Sequence, residues 1–521
     1  MRTQLPLLFA GIAFGSSACL AIELPTMFSD HAVLQRGEAV PVWGWGEAGE
    51  TVTVSFADQS NTGTAGGDGS WRVELGALKE NATGRDLVVE GSKSGEVKVT
   101  DVLVGEVWMA SGQSNMQWSL SQTERAKDDI PKANFPAMRM FLTDLATAVK
   151  PLRKVGGKWY QTTPENAGKF SAVGYYFALK VHREVGVPVG IIRTSWGGKP
   201  SEAFTSRETL SSKPEGKALV DRLDAEMKNF DSAKVRADYQ KKLAAWEATR
   251  KANAAEPDPR KRRKIGRKPA MRPAPALSPN RPMSIYNAMI HPWVGYAMKG
   301  AIWYQGESNA GRAKEYETIF PLLILDWRKQ WKNEMSYYFV QLANFRKPST
   351  EPGTPNSWAE LQNAQRLTLS LPGTGMAVIN DIGTANNIHP PNKRDVGDRL
   401  ARWALFHDYG KKEVVVCGPL YRGAKTEGGK IRISFEHAMG LKSRDGGPLQ
   451  RFEISGVDQK WRWADATIEG ASVVVSSKEV AQPVAVRYAW ASNPSGANLV
   501  NGEGLPASLF RTDDWKLSTE K

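Results

Sequence analysis

The stretch Val102-Leu103-Val104-Gly105-Glu106-Val107-Trp108-Met109-Ala110, followed by Ser111 and then Gly112-Gln113-Ser114-Asn115-Met116, decides how this chain reads. The apolar run predicts a buried strand. It stops abruptly and hands Ser114 to solvent, flanked by a glycine and two amides. An exposed hydroxyl on a sharp, rigid turn, with backbone N–H groups free to bind an oxyanion, is what a nucleophilic serine needs. A polar strand-to-helix turn with a capping serine uses the same residue types. The choice between the two rests on what lies downstream.

Four further apolar segments also end in polar or glycine-rich motifs. Val187–Ile192 leads to Thr194-Ser195-Trp196-Gly197-Gly198, and Gly300–Tyr304 to Gln305-Gly306-Glu307-Ser308-Asn309. Tyr337–Val340 runs into Gln341-Leu342-Ala343-Asn344-Phe345. Met376–Ile379 leads to Asn380-Asp381-Ile382-Gly383 and on to Ile388-His389-Pro390. Strands alternating with helical stretches predict an α/β domain with a parallel sheet. In such sheets the ligand crevice lies outside the carboxyl ends of the strands, so all five motifs face one crevice.

This α/β segment is predicted over 101–413. Before it, 22–100 holds short period-two runs broken by Gly, Asp and Asn, the pattern of a β-sandwich. After it, 414–521 is β-rich again. An insertion at 205–282 interrupts the domain. Its first part is helical in period, with Leu219, Leu223, Met227, Phe230, Tyr239, Leu243 and Trp246 as apolar positions, and a basic, Pro-containing mobile loop follows.

A chain of 521 residues with 41% hydrophobic content and 18 Trp has the means for two or three folded domains. Residues 1–21 read as an export signal: Arg2, the apolar run Leu5–Phe14, then small residues. Lipidation at Cys19 is the less favoured alternative. The predicted location is therefore periplasmic or extracellular, with no membrane span. Without Cys19, Cys417 is alone and no disulfide forms; its setting, Val414-Val415-Val416-Cys417, predicts a buried strand. No HExxH or Cys/His cluster suggests a metal. The formal charge is +14, but Arg250–Pro273 alone holds ten Lys/Arg against two acids, or +8 of it. One such run without aromatic interleaving argues against nucleic acid as a partner.

A serine nucleophile needs a base. Of the six histidines, His389 is the one that follows a strand end and just precedes a helix, which places it at the rim beside Ser114. Gly-Gln-Ser-Asn-Met, Trp196-Gly197-Gly198, Gln305-Gly306-Glu307-Ser308-Asn309 and Ile388-His389-Pro390-Pro391-Asn392-Lys393 together resemble the sialate O-acetylesterase family of SGNH hydrolases. Met27–Arg36, Arg487-Tyr488-Ala489-Trp490 and Asn501–Ala507 extend the resemblance over nearly the whole chain outside the insertion.

The resemblance implies a flavodoxin-like sheet and a cofactor-free serine esterase that removes O-acetyl groups from sugars of sialic acid or of plant or algal polysaccharide. An acetyl-enzyme forms on Ser114, with His389 as base. The oxyanion hole comprises the Ser114 N–H, an N–H of Gly197 or Gly198, and the Asn309 side chain. The family's Asp-Ile-His-Pro is here Asn387-Ile388-His389-Pro390. An amide does not stabilise an imidazolium as a carboxylate does. Three arrangements are open: Glu307 orients His389, which is favoured; Asp381 does so; or the pair works as a dyad. The competing functions are a non-catalytic glycan-binding protein derived from such an esterase and a lipase-like esterase for long acyl chains, which lacks an apolar lid. The sugar and the oligomeric state are not legible.

Overall fold

The computed structural model describes residues 21–520, so the export signal and Cys19 lie outside the described residues, Ala21 excepted. The central sheet contains β1 (Gly95–Gly112), β2 (Phe135–Thr143), β3 (Gly157–Thr162), β4 (Val189–Arg193), β5 (Gly300–Tyr304), β6 (Ser336–Val340) and β7 (Thr374–Ala377). Across the sheet they lie in the order β7-β6-β5-β1-β4-β2-β3. Neighbours are parallel except β3, which runs antiparallel to β2. The carboxyl ends of the parallel strands therefore share one edge.

β1 explains why the sequence reads as two kinds of structure. From Gly95 to Asp101 its residues are mostly exposed, and it pairs antiparallel with Asn81–Gly91. From Val102 every residue is buried; it pairs with β4 from Glu106 and lies between β4 and β5 from Trp108. A strand buried on both faces reads as a continuous apolar run. The chain thus passes through residues 100 and 101 without a break, and the N-terminal strands share one continuous core with the central sheet.

The principal helices are α1 (Ala172–Val185), α2 (Pro214–Lys228), α3 (Ser232–Ala255), α4 (Ala313–Trp331), α5 (Ser357–Leu367) and α6 (Arg394–His407). Period-two alternation sends Trp108 and Tyr338 to one face of the sheet, where they meet Phe177 of α1 and Trp403 of α6. Trp303, Tyr337 and Phe339 go to the other face and pack on Phe320 and Trp327 of α4. The result is an α/β domain with a mixed central sheet, flanked by further β-rich regions. The C-terminal one has two four-stranded antiparallel sheets around a second core that includes Ile433, Phe452, Tyr488 and Phe510. Cys417 is a buried free thiol, pushed above its usual range by burial; it stands in a non-strand connection just before Leu420–Glu427, so the predicted strand does not form there.

Within the insertion, α2 buries Leu219, Val220 and Leu223 against Leu210, Ile319 and Leu322. No residue of α3 is buried. The basic tract differs from a free loop: it runs back along α3. Trp246 Nε1 donates to Gly266 O at 2.9 Å, and Asn253 exchanges hydrogen bonds with the Arg263 backbone at 2.6 and 2.8 Å. Half-buried Tyr239, Leu243 and Trp246 make the helical stripe that the sequence shows. Helix and tract therefore form one unit outside the core. Its ends are close, since Ala276 N lies 3.4 Å from Met227 Sδ. Replacing 231–273 by a short Gly/Ser linker is expected to change Tm by less than about 3 °C, the effect of roughly 1 kcal/mol. Small-ester turnover stays at the parent value. Differential scanning fluorimetry and a p-nitrophenyl acetate assay check both.

Candidate active site

The serine turn is forced by a close backbone approach. Gly112 has φ +127°, and a Cβ there would sit 2.2 Å from the Tyr304 carbonyl oxygen, so only glycine fits. Gln113 N–H donates to that same carbonyl at 2.9 Å, and the chain turns into the single-turn helix Ser114–Gln117. The Ser114 hydroxyl lies 2.8 Å from His389 Nε2. With the imidazole proton on Nδ1, Ser114 Oγ–H donates to Nε2. The His389 ring stacks on Trp118, centroids 4.7 Å apart and planes at 19°. Burial, and then the charge of Lys393, push the His389 imidazolium below its ordinary range. That keeps the ring neutral and able to accept a proton.

Behind Ser114 lies a buried polar cluster. Asn115 Nδ2 donates to Glu307 Oε1 at 2.6 Å and to Ile388 O at 3.0 Å. Its Oδ1 accepts from Lys393 Nζ at 2.5 Å. Burial raises the Glu307 carboxyl, while the Asn115 hydrogen bond and Lys393 pull it back. Lys393 is 0% exposed and its ammonium is lowered to about 7 by burial, with Glu307 acting the other way.

Ser114 and His389 are brought together as the sequence predicts. The two carboxylates predicted to orient the histidine are placed differently. Glu307 makes no hydrogen bond to His389; it is engaged by Asn115, and its Oε2 is buried without a partner. Asp381 is held by Arg399 at 2.6 and 2.8 Å, a bidentate pair that occupies both its oxygens. Asn387 is exposed and accepts from the His389 backbone N–H at 2.9 Å. No carboxylate among the described residues is therefore hydrogen-bonded to the His389 ring.

The predicted oxyanion donors differ in how far other groups engage them. Asn309 Nδ2 donates one of its two hydrogens to Glu202 Oε2 at 2.9 Å, and Oδ1 accepts from Gln305 and Ser201. It ties the loop after β5 to the segment after β4. Gly197 N–H donates to Gln117 Oε1 at 2.8 Å. The N–H groups of Ser114 and Gly198 have no acceptor among the described residues and remain available. No group of His, Cys, Asp or Glu among the described residues is arranged to hold a metal.

Sequence reasoning passed over Asn115, Trp118 and Lys393 as functional residues. Asn115 adjoins the serine, so its position carried a signal. Lys393 is four residues past His389, at the N-cap of α6, and nothing in its type announces burial. Only the fold shows that it points inward.

A half-buried serine hydrogen-bonded to a half-buried histidine, beside two free backbone donors, defines a serine ester hydrolase. Residues 276–405 match the family model described as carbohydrate esterase, sialic acid-specific acetylesterase. The sialate O-acetylesterase of Mus musculus is 27% identical, the match covering 92% of this chain and 91% of the mouse protein. That of Homo sapiens is 26% identical over 92% and 89%. The crystal structure of a carbohydrate acetylesterase from Xanthomonas citri is 37% identical, covers 95% of this chain and 100% of its own, and superposes with a TM-score of 0.78. The chain belongs to this family of carbohydrate esterases.

Two substitutions separate Glu307 from Asp381. Asp381→Asn is expected to lower Tm by several degrees, because Arg399 loses a charged bidentate partner. The kcat of the folded fraction is unchanged. Glu307→Gln is expected to lower kcat about tenfold with little change in KM. Thermal melts and steady-state kinetics on a small acetyl ester read both.

Proposed function

We propose that the protein is an exported esterase that removes O-acetyl groups from sugars through an acetyl-enzyme on Ser114. The observation that carries this is the 2.8 Å contact between Ser114 Oγ and His389 Nε2. Ser114 Oγ attacks the acetyl carbonyl while His389 takes its proton. The oxyanion rests on the Ser114 and Gly198 N–H groups. His389 then returns the proton to the departing sugar hydroxyl. Water, activated by the same ring, attacks the acetyl-enzyme and releases acetate. The ring is held by the stack on Trp118 and the backbone bond to Asn387 instead of by a carboxylate, so the pair is a dyad, with Glu307 acting through Asn115.

The SGNH, flavodoxin-like assignment is part of the proposal. In chain order β1, β4, β5, β6 and β7 lie as 2-1-3-4-5, with β2 and β3 added beyond β4, which supports it. So is the division into a β-rich region at 22–100, the esterase domain at 101–413 with its insertion at 205–282, and the β-rich region at 414–521. Export rests on the sequence of residues 1–21. Among the described residues no helix is long and apolar enough to cross a membrane.

A cavity of about 460 Å³ is lined in part by Gly198, the second of the two available N–H donors, and by Ser308, Leu223 and Arg222. Arg222 makes no ion pair among the described residues and offers a cation to a sugar carboxylate. That favours acetylated sialic acid over a neutral glycan. A larger cavity of about 680 Å³, between α6 and the C-terminal region, contains none of the residues of the serine site.

Ser114→Ala is expected to keep the parent Tm and lose more than about a thousandfold in kcat. A fluorophosphonate probe labels the parent at Ser114 and not the variant. Retained hydrolysis by the variant overturns the assignment; an inactive parent leaves the glycan-binding alternative. Because His389 acts as the neutral base and its pKa lies below the ordinary 6.5, kcat/KM rises with pH through a midpoint below 6.5. Acetate release from acetylated sialic acid, xylan and pectin ranks the substrates.

A further inference from the structure

Lys393 is a buried ammonium that the dyad chemistry does not use. It lies at the N-cap of α6, 0% exposed, its Nζ 5.4 Å from the Tyr304 ring centre and 5.8 Å from that of Trp118. Its one hydrogen bond among the described residues is to Asn115 Oδ1. Asn115 is the residue after the nucleophile, 1% exposed, and its two remaining amide bonds go to Glu307 Oε1 and Ile388 O. Ile388 immediately precedes His389.

The chemistry of these groups fixes the amide. An ammonium only donates, whereas a carboxylate and a backbone carbonyl only accept. The Asn115 side chain therefore satisfies all three partners in one orientation alone, with oxygen toward Lys393 and nitrogen toward Glu307 and Ile388. A rotation by 180° would set nitrogen against ammonium and oxygen against two acceptors. Lys393 supplies the donor end of this lock. The three loops that meet at Asn115 carry the nucleophile, Glu307 and the base.

We propose that Lys393 is a positioning residue for the Ser114–His389 pair, acting through the Asn115 amide, which it orients to hold the Glu307 carboxylate and the backbone just before His389. This rests on Ser114 and His389 being the reacting pair. Lys393 also sets the electrostatics of the site. The titratable groups around it are Glu307 and Tyr304 from β5 and its loop, and His389 from its own. Its charge opposes the imidazolium and favours the carboxylate.

The test uses the full mature chain and a small acetyl ester. Lys393→Met keeps the side-chain volume and removes donor and charge. It is expected to lower kcat about ten- to a hundredfold, the worth of one buried hydrogen bond to a charged group, with KM changed less than about threefold. The lower limb of the kcat/KM profile moves to higher pH, because the charge that depresses the His389 imidazolium is gone. A purely structural role would not move that limb. Asn115→Ala gives a similar loss in kcat, and the double variant is no worse than the poorer single one, because both remove the same lock. Lys393→Gln, a donor without charge, is expected to recover much of the kcat while keeping the shifted limb. It also serves if the Met variant does not fold.

Parent-level kcat in Lys393→Met, losses that multiply in the double variant, or a lower limb that stays in place overturns the proposal. Hydrolysis surviving in Ser114→Ala overturns the dyad itself. An inactive Ser114→Ala beside a fully active Lys393→Met overturns only the role of Lys393.

Discussion

Backbone pairing between β1 and β5 runs to the last residue of each strand, Gly112 against Tyr304, and the site hangs on that pairing. Tyr304 offers its carbonyl to Gln113 N–H at the point where a side chain on Gly112 would collide with it. The chain must leave the sheet there, and it does so into a single helical turn. Ser114 is therefore placed by main-chain atoms, which have far less freedom than side chains. Its hydroxyl sits where the parallel strands end together.

The polar groups behind the nucleophile answer a second constraint, the cost of burying charge. Glu307 and Lys393 both lose their water, and each would be driven toward its neutral form if alone. The Asn115 amide joins them without direct contact, donating to one and accepting from the other. A cluster of this kind is costly when incomplete and rigid when complete. It ties together the turns on which the serine and the histidine sit. Hydrogen bonds to Ile388 O and from His389 N–H hold the backbone around the histidine.

The C-terminal region contributes through the loops it grips. Phe345 N–H donates to Ser492 O, Asn344 bonds Asn493, and Asn380 Nδ2 donates to Ala507 O. Arg346 N–H in turn donates to Ala385 O, and Gly383 N–H to Asn344 Oδ1. The loop between β7 and His389 is thus fastened to the loop after β6, and both to the C-terminal sheets. A loop long enough to carry His389 from one strand end back to Ser114 is fixed from the side remote from the serine. α3 and the basic tract stand outside this frame, and accordingly bury nothing in it.

By itself the sequence determined the strand that ends at Ser114, the strand ends that share its crevice, the histidine that meets it and the β-rich segments on either side. These follow from short-range rules: apolar runs make buried strands, glycine permits the turn, and parallel strands place their carboxyl ends on one edge. Only the tertiary structure decided what the remaining polar residues do. Asp381 has the right type and lies in the right motif, but Arg399, distant in sequence from it, claims both its oxygens, and Asn309 gives one of its two amide hydrogens to Glu202. Glu307 meets Asn115 instead of the histidine, and Lys393, a residue type usually solvated, turns inward to the same amide. Hydrogen-bond partners are chosen by proximity after folding, among many donors and acceptors of equal chemistry. A chain's local pattern limits where such groups can lie and leaves open which of them pair.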